Sequence, residues 1–280
     1  MEGFIDERWR LIFSFNGLDD FDALWHLRTE WFEAPNHRRG GWSGVARCEL
    51  SLPEGGTTAI FLKRQENHGT RSFRHPLNGE PTFFREFKWI MTCRRYGIPS
   101  LKPVYFSMRG HGRNQRAILA TAELTGFISL AELEQRWAHE GLPPRMVRLR
   151  LFHAIAALLR QMHEHGICHG CLYPKHVFIR MAPEVDVTAR VIDLEKSRRL
   201  PLRTMCAFRD LYCLNHHSSP AWSRTDRLRL FLIYLGLPRL NARARHLWRR
   251  IAARSAYKRK EDETRRSIGS RISPAKSGTS

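Results

Sequence analysis

Apolar residues recur along this chain in two rhythms, and the balance between them changes past its middle. Early on, Trp9 to Phe15 (WRLIFSF) reads as a strand. Asp20 to Phe32 reads as a helix whose apolar face is Phe21, Leu24, Trp25 and Leu27. Val45 to Leu52 and Thr57 to Lys63 read as strands, and the Pro53-Glu54-Gly55-Gly56 turn between them predicts a hairpin. Pro81 to Tyr96 carries Phe83, Phe84, Phe87, Ile90 and Met91 at helical spacing, with Gly97 as a stop after Arg94-Arg95. Val104 to Met108 and Ala117 to Leu124 predict two more strands. Then the helical period takes over. Pro144 to His165 places Val147, Leu151, Ala154, Ile155, Leu158 and Met162 on one face, and Gly166 ends it. Two short strands follow, Val177 to Arg180 and Val187 to Ile192. Helices are expected over Arg209 to Asn215, Arg224 to Leu235 and Ala242 to Arg254.

A strand-rich first part with one central helix therefore precedes a mainly helical second part, the order of a two-lobed α+β architecture. The expected divisions are a first lobe over residues 1–124, a second lobe over 125–256, and a basic, Ser/Gly-rich tail over 257–280 that is too polar to pack and is expected to be disordered.

Composition sets the scale. With 280 residues and 42% hydrophobic content the chain can bury a substantial core. Charge changes the picture more: 47 Lys+Arg stand against 27 Asp+Glu, a formal net charge of +20. Such a surface attracts phosphate-rich partners, whether nucleic acid, nucleotide, anionic lipid or phosphorylated glycolipid. The acidic start and the lack of a long apolar run predict a soluble, cytoplasmic chain that rests at most peripherally on the inner membrane. Six cysteines in such a chain are expected as reduced thiols.

Candidate chemistry clusters in a fixed order. Val191-Ile192-Asp193-Leu194-Glu195 puts an acid directly after a buried strand, where a carboxylate can meet Mg²⁺. Alone, such an acid is more often a turn cap. Upstream, His169, then Leu172, then His176 reproduce the skeleton of the kinase catalytic loop, H-R-D-L-x-x-x-N, after a long helix and before a hairpin. Asp193 then falls where the acid of D-F-G belongs. In the first half Ala59-Ile60-Phe61-Leu62-Lys63 is similar to the V-A-I-K strand, and Glu86 on the next helix is the natural partner of Lys63. Gly40, Gly41 and Gly44 precede the first hairpin, where a phosphate-covering loop belongs. Asp210 is placed to brace the catalytic-loop backbone, although a helix-surface acid is equally expected there.

These segments together resemble the InaA-type lipopolysaccharide kinase family. The resemblance is carried by Gly41-Trp42-Ser43-Gly44-Val45, Glu123-Leu124-Thr125-Gly126-Phe127, His169 through His176, Val191 through Lys196, and Ser223 through Arg229. It implies a protein-kinase-like fold, ATP with Mg²⁺, and a sugar hydroxyl of the lipopolysaccharide core, heptose-type, as acceptor. By the resemblance Gly40, Gly41, Gly44, Lys63, Glu86 and Glu123 are expected to bind nucleotide, Asp193 and His176 to hold the metal, and His169, Cys171 and His176 to line the catalytic loop. One departure matters: Cys171 stands at the position of the catalytic Asp, and Gly170 at that of the preceding Arg. Loss of a general base costs typically about 10²–10⁴-fold, so an active kinase, with His169 or His176 taking the proton, stands beside a pseudokinase that binds and regulates.

Other readings compete. Cys168-x-x-Cys171 with Cys213 and His216 or His217 has zinc-ligand spacing, and the pair also suits redox chemistry. A small buried hydrophobe is the commoner role of such cysteines. Arg243, Arg245, Arg249, Arg250 and Arg254 crowd one late helix, and Lys258, Arg259, Lys260, Arg265 and Arg266 follow. No aromatic stacking motif accompanies them, which argues against nucleic acid and for an anionic membrane or phosphorylated glycolipid.

Overall fold

The computed structural model describes residues 3–38, 40–72, 75–110, 114–182 and 185–272. The chain divides into two compact units, Met1–Phe127 with Arg190–Ser197, and Ile128–Ala189 with Arg198–Ser280. The first therefore takes back a short later segment, the one containing Asp193.

The first unit runs β1 (Phe4–Ile5), α1 (Glu7–Phe15), α2 (Phe21–His26), β2 (Trp31–Arg38), β3 (Gly41–Ser51), β4 (Thr57–Glu66), β5 (Gly69–Ser72), β6 (His75–Pro81), α3 (Thr82–Arg95), β7 (Pro103–Arg109) and β8 (Arg116–Ala122). Six strands form one sheet in the order β1-β7-β8-β4-β3-β2, and each neighbouring pair is antiparallel. One core cluster joins Trp9 and Phe13 of α1, Phe21 and Leu24 of α2, and Ile60 and Leu62 of β4. Side chains alternate across a strand, so β4 turns Lys63 away from that cluster and toward α3. There Phe84 and Phe87 stack on Phe106 of β7, with centroids 5.6 and 4.3 Å apart.

Three expectations change here. Trp9 to Phe15 is helical, not a strand. Asp6 caps the helix by accepting from the Arg8 N–H, and Trp9 and Phe13 are buried together one turn apart. The helix expected over Asp20 to Phe32 stops at His26, because the Arg64 guanidinium takes the Trp25 and Leu27 carbonyls at 2.7 and 2.8 Å. Trp31 and Phe32 then open a strand and pack on Trp42 and Phe61. The glycine-rich segment is not an open loop but the turn and first residues of a β2–β3 hairpin; Arg39 in that turn lies outside the described residues.

The second unit runs β9 (Ile128–Ser129), α4 (Leu130–Glu140), α5 (Arg145–Glu164), β10 (Ile167–Cys168), β11 (Val177–Ala182), β12 (Val185–Val191, whose last two residues belong to the first unit), β13 (Arg198–Arg199), α6 (Arg203–His217), α7 (Arg224–Leu235) and α8 (Ala242–Ile272). Helix α4, absent from the periodicity reading, opens with a capping box between Ser129 and Glu132. Helix α8 continues through the segment expected to be a disordered tail, as far as Ile272; its register is held by Asn215 to Ser255 and His216 to Asp262 contacts of 2.8 and 3.1 Å. Residues 273–280, and the side chains of Arg265 and Arg266, lie outside the described ones. Among the described residues no helix is long and apolar enough to cross a membrane.

Candidate active site

In the first unit β4 presents Lys63 to α3, and the Lys63 Nζ donates to both oxygens of Glu86 at 2.6 and 2.8 Å. Glu86 is buried and Lys63 nearly so. Desolvation pulls the ammonium pKa down, but the Glu86 carboxylate, with Asp193 adding its charge, outweighs it and holds the group above the ordinary lysine value. The pair expected from sequence is therefore made, and Asp193 lies within electrostatic reach of it.

Asp193 follows β12 with φ 57° and ψ 59°, a left-handed conformation that costs a non-glycine residue energy and that Asp tolerates better than most. It opens a 3₁₀ turn, Leu194–Lys196, packed against α3. A left-handed carboxylate within electrostatic reach of the half-buried Lys63 is the kind of arrangement found where function over-determines the backbone.

The three glycines part company. Gly40 occupies the β2–β3 turn with φ +82°. Gly41 and Gly44 are strand residues: a Cβ on Gly41 would come 2.0 Å from the Glu66 carbonyl oxygen, and one on Gly44 2.6 Å from the Trp31 ring. Close packing accounts for both. Glu123 turns its carboxylate to Arg47, accepting at 2.6 and 3.0 Å, and its N–H donates to the Ala59 carbonyl at 3.0 Å.

The second unit carries the loop. Asp210 of α6 is fully buried and accepts from four donors: the His169 N–H at 2.7 Å, the Gly170 N–H at 2.9 Å, His163 Nε2 at 3.1 Å and Cys168 Sγ at 3.3 Å. Burial works to raise this carboxyl. The hydrogen bond and charge of His163, with His169 and Gly170, outweigh it and hold Asp210 below the usual aspartate range. His163 in turn faces the Tyr234 hydroxyl at 2.9 Å. Gly170 has φ +79°, which explains why glycine stands where a kinase loop has Arg.

His169 and His176 stack with centroids 5.7 Å apart. His176 Nδ1 lies 2.8 Å from the Cys171 carbonyl, so Nδ1 carries the proton and Nε2 is the acceptor nitrogen. Cys171 is buried and hydrogen-bonds the Tyr173 hydroxyl, whose pKa that bond raises first and burial second. Cys168 is engaged by Asp210, and among the described residues no group of three or more His, Cys, Asp and Glu is placed to hold a metal ion. Sequence reasoning missed His163, Tyr234 and Tyr173. The only signal for His163 was its place on the buried stripe of α5 one residue after Met162.

The sequence and the fold are both similar to those of known proteins. A model of the lipopolysaccharide kinase (Kdo/WaaP) family matches residues 22–234. Protein InaA of Escherichia coli (strain K12) is 32% identical over 204 residues, which is 72% of this chain and 89% of InaA. The lipopolysaccharide core heptose(I) kinase WaaP of the same strain is 28% identical over 235 residues, covering 79% of this chain and 83% of WaaP. The solved structure of WaaP in complex with acyl carrier protein matches with a TM-score of 0.66 at 21% identity, over 94% of this chain and 99% of that one. The fold is accordingly α+β and protein-kinase-like, with a strand-rich lobe that carries α1, α2 and α3 where one central helix was expected, and a mainly helical lobe. With a family model spanning most of its length, the chain belongs to the lipopolysaccharide kinase (Kdo/WaaP) family.

Proposed function

We propose that this chain transfers the γ-phosphoryl group of ATP to a sugar hydroxyl of the lipopolysaccharide core, a heptose-type acceptor, with Mg²⁺ as the metal. The observation that carries the reading is the buried Lys63–Glu86 pair with Asp193 beside it. A buried lysine held charged and aimed by a carboxylate is built to meet α/β-phosphate oxygens. Asp193 offers the oxygen that Mg²⁺ prefers. His176 Nε2 is the second donor in this reading, although an imidazole nitrogen suits Mg²⁺ less well than an oxygen does. Gly40 would line the phosphates from the β2–β3 turn, and the Glu123 backbone would serve the nucleotide while its carboxylate stays on Arg47. When bound, Mg²⁺ neutralises charge on the phosphate oxygens. The chain's own work is to position the hydroxyl and accept its proton, a role this reading gives to His169 or His176, whose rings stack beside Cys171.

A second reading, a pseudokinase that binds and regulates, is favoured by Cys171. A buried thiol that hydrogen-bonds Tyr173 is a poor substitute for a carboxylate base. ATP binding with Mg²⁺ is measured by calorimetry and thermal shift on the wild type and Asp193→Ala. Saturable binding is expected, with stabilisation of about 2.7 kcal/mol at a hundred times Kd, and Asp193→Ala should weaken it by at least ~10-fold, as loss of a metal-holding carboxylate requires. No binding at millimolar ATP would sink the kinase reading and leave a fold reused for protein or membrane contact.

A further inference from the structure

The outer flank of the second unit combines charge and apolar surface in a way that the reaction does not use. From Ala242 to Lys260, α8 contains no Asp or Glu, yet Arg243, Arg245, Arg249, Arg250, Arg254, Arg259 and Lys260 are all exposed. Ala244, Ile251 and Ser255 form the buried stripe. Arg243, Arg250, Arg254 and Tyr257 recur at helical spacing on one flank beside it, the flank nearest α6. There Arg250 lies 4.8 Å over the Phe208 ring, and Arg254 lies between Tyr212 and Tyr257, at 5.9 and 5.5 Å from their centroids. Arg209 is exposed on α6 next to Phe208. One turn earlier on the same helix, Met205 is 43% exposed and the N-cap Leu202 58%; Tyr257 is 60% exposed. Of the acids on these two helices, Asp210 is buried, Glu261 accepts from Lys258 and Asp262 meets His216, while Glu263 is exposed beyond Lys260.

We propose that this α6–α8 flank docks on an anionic phospholipid bilayer. A guanidinium stacked on an aromatic face keeps its N–H edge turned outward and loses little side-chain freedom on meeting a phosphate. Exposed Leu, Met and Tyr beside such cations suit a surface that is charged at the headgroups and apolar just beneath. Charge complementarity alone would also admit RNA, but the half-buried Phe208 and Tyr212 rings lie under arginines, which leaves Tyr257 as a single exposed ring rather than a stacking platform. The inference rests on this surface and not on the identity of the acceptor sugar.

Flotation of the full chain with vesicles tests it, using phosphatidylcholine alone and phosphatidylcholine with phosphatidylglycerol, at low and high salt. Binding is expected only to the anionic vesicles and should fall as salt rises. The double variant Arg250→Gln/Arg254→Gln should bind about 30-fold more weakly, from two surface charges removed, with circular dichroism and melting temperature confirming the fold. Should that pair not fold, Arg209→Gln/Arg243→Gln, both on exposed side chains, is expected to show the same loss. Equal binding to neutral vesicles overturns the proposal. So does anionic binding that is unchanged in a folded double variant. A wild type that ignores the vesicles but binds duplex RNA or an acidic protein overturns it as well.

Discussion

Glu134 shows what burial does to one carboxyl. It is 4% exposed on α4, and its Oε2 accepts from the Ser219 N–H at 2.9 Å. Burial pushes its pKa up from 4.5 to about 7, against the pull of the Ser219 N–H, the Arg227 charge and the Ser218 hydroxyl. Between those two values the unfolded chain has released the proton and the folded chain still holds it, so stability falls as pH rises through this window. The loss attributable to Glu134 reaches roughly 3 kcal/mol above pH 7, taking 1.36 kcal/mol per pKa unit. Glu134→Gln should remove it. Urea midpoints at pH 5 and pH 8 are expected to differ less in the variant than in the wild type, and identical slopes would show that Glu134 does not titrate this way. Nothing in the sequence around Glu134 distinguishes it from a surface acid, because its burial comes from α4 packing elsewhere in the unit. Lys63 and Glu86 were different: the strand and helix that carry them are local patterns, and the pairing of one with the other follows from motif order.

Helices were legible where their caps and stripes were local and illegible where a distant group decided. Helix α7 runs over Arg224–Leu235, as its Ser223 cap and its apolar spacing require. Helix α1 was misread because WRLIFSF is apolar throughout, and a short apolar run fits a strand as well as a helix. The length of α2 was set by Arg64, far along the chain. Helix α6 matters most, since it delivers Asp210 beneath the loop from His169 to Gly170. Asp210→Asn would oppose an amide donor to one of those N–H groups and remove the charge that receives them. A loss of about 3 kcal/mol is expected from urea denaturation. On the proposed function phosphoryl transfer should fall as well, while ATP affinity, assigned there to Lys63 and Asp193, should change little. Unchanged stability would mean that α6 does not brace the loop.

For the whole molecule, the proposed activity turns on one position. By the motif spacing Cys171 takes the place of the kinase base, and the Tyr173 hydroxyl, which hydrogen-bonds its thiol, can donate to a carboxylate substituted there. Cys171→Asp should raise transfer of labelled phosphate from ATP to core oligosaccharide, by about 10²-fold or more if the missing base limits the rate. A wild type that binds ATP without transfer, joined by a variant that transfers, would mark the natural chain as a pseudokinase. No gain in the variant over an active wild type would instead assign the proton to His169 or His176. The sequence by itself determined the two-lobed α+β class, the +20 charge, helices such as α3, α5 and α7, and the candidate positions Lys63, Glu86, Asp193 and the His169–His176 loop. All of these are carried by composition, by periodicity or by spacing along the chain. Only the tertiary structure decided that Gly41 and Gly44 make room for Glu66 and Trp31, that His163 and Tyr234 stand behind Asp210, and that α8 lays its arginines over the α6 rings. The reason is physical: these depend on close contacts between segments far apart in sequence, and such contacts exist only once the chain has packed.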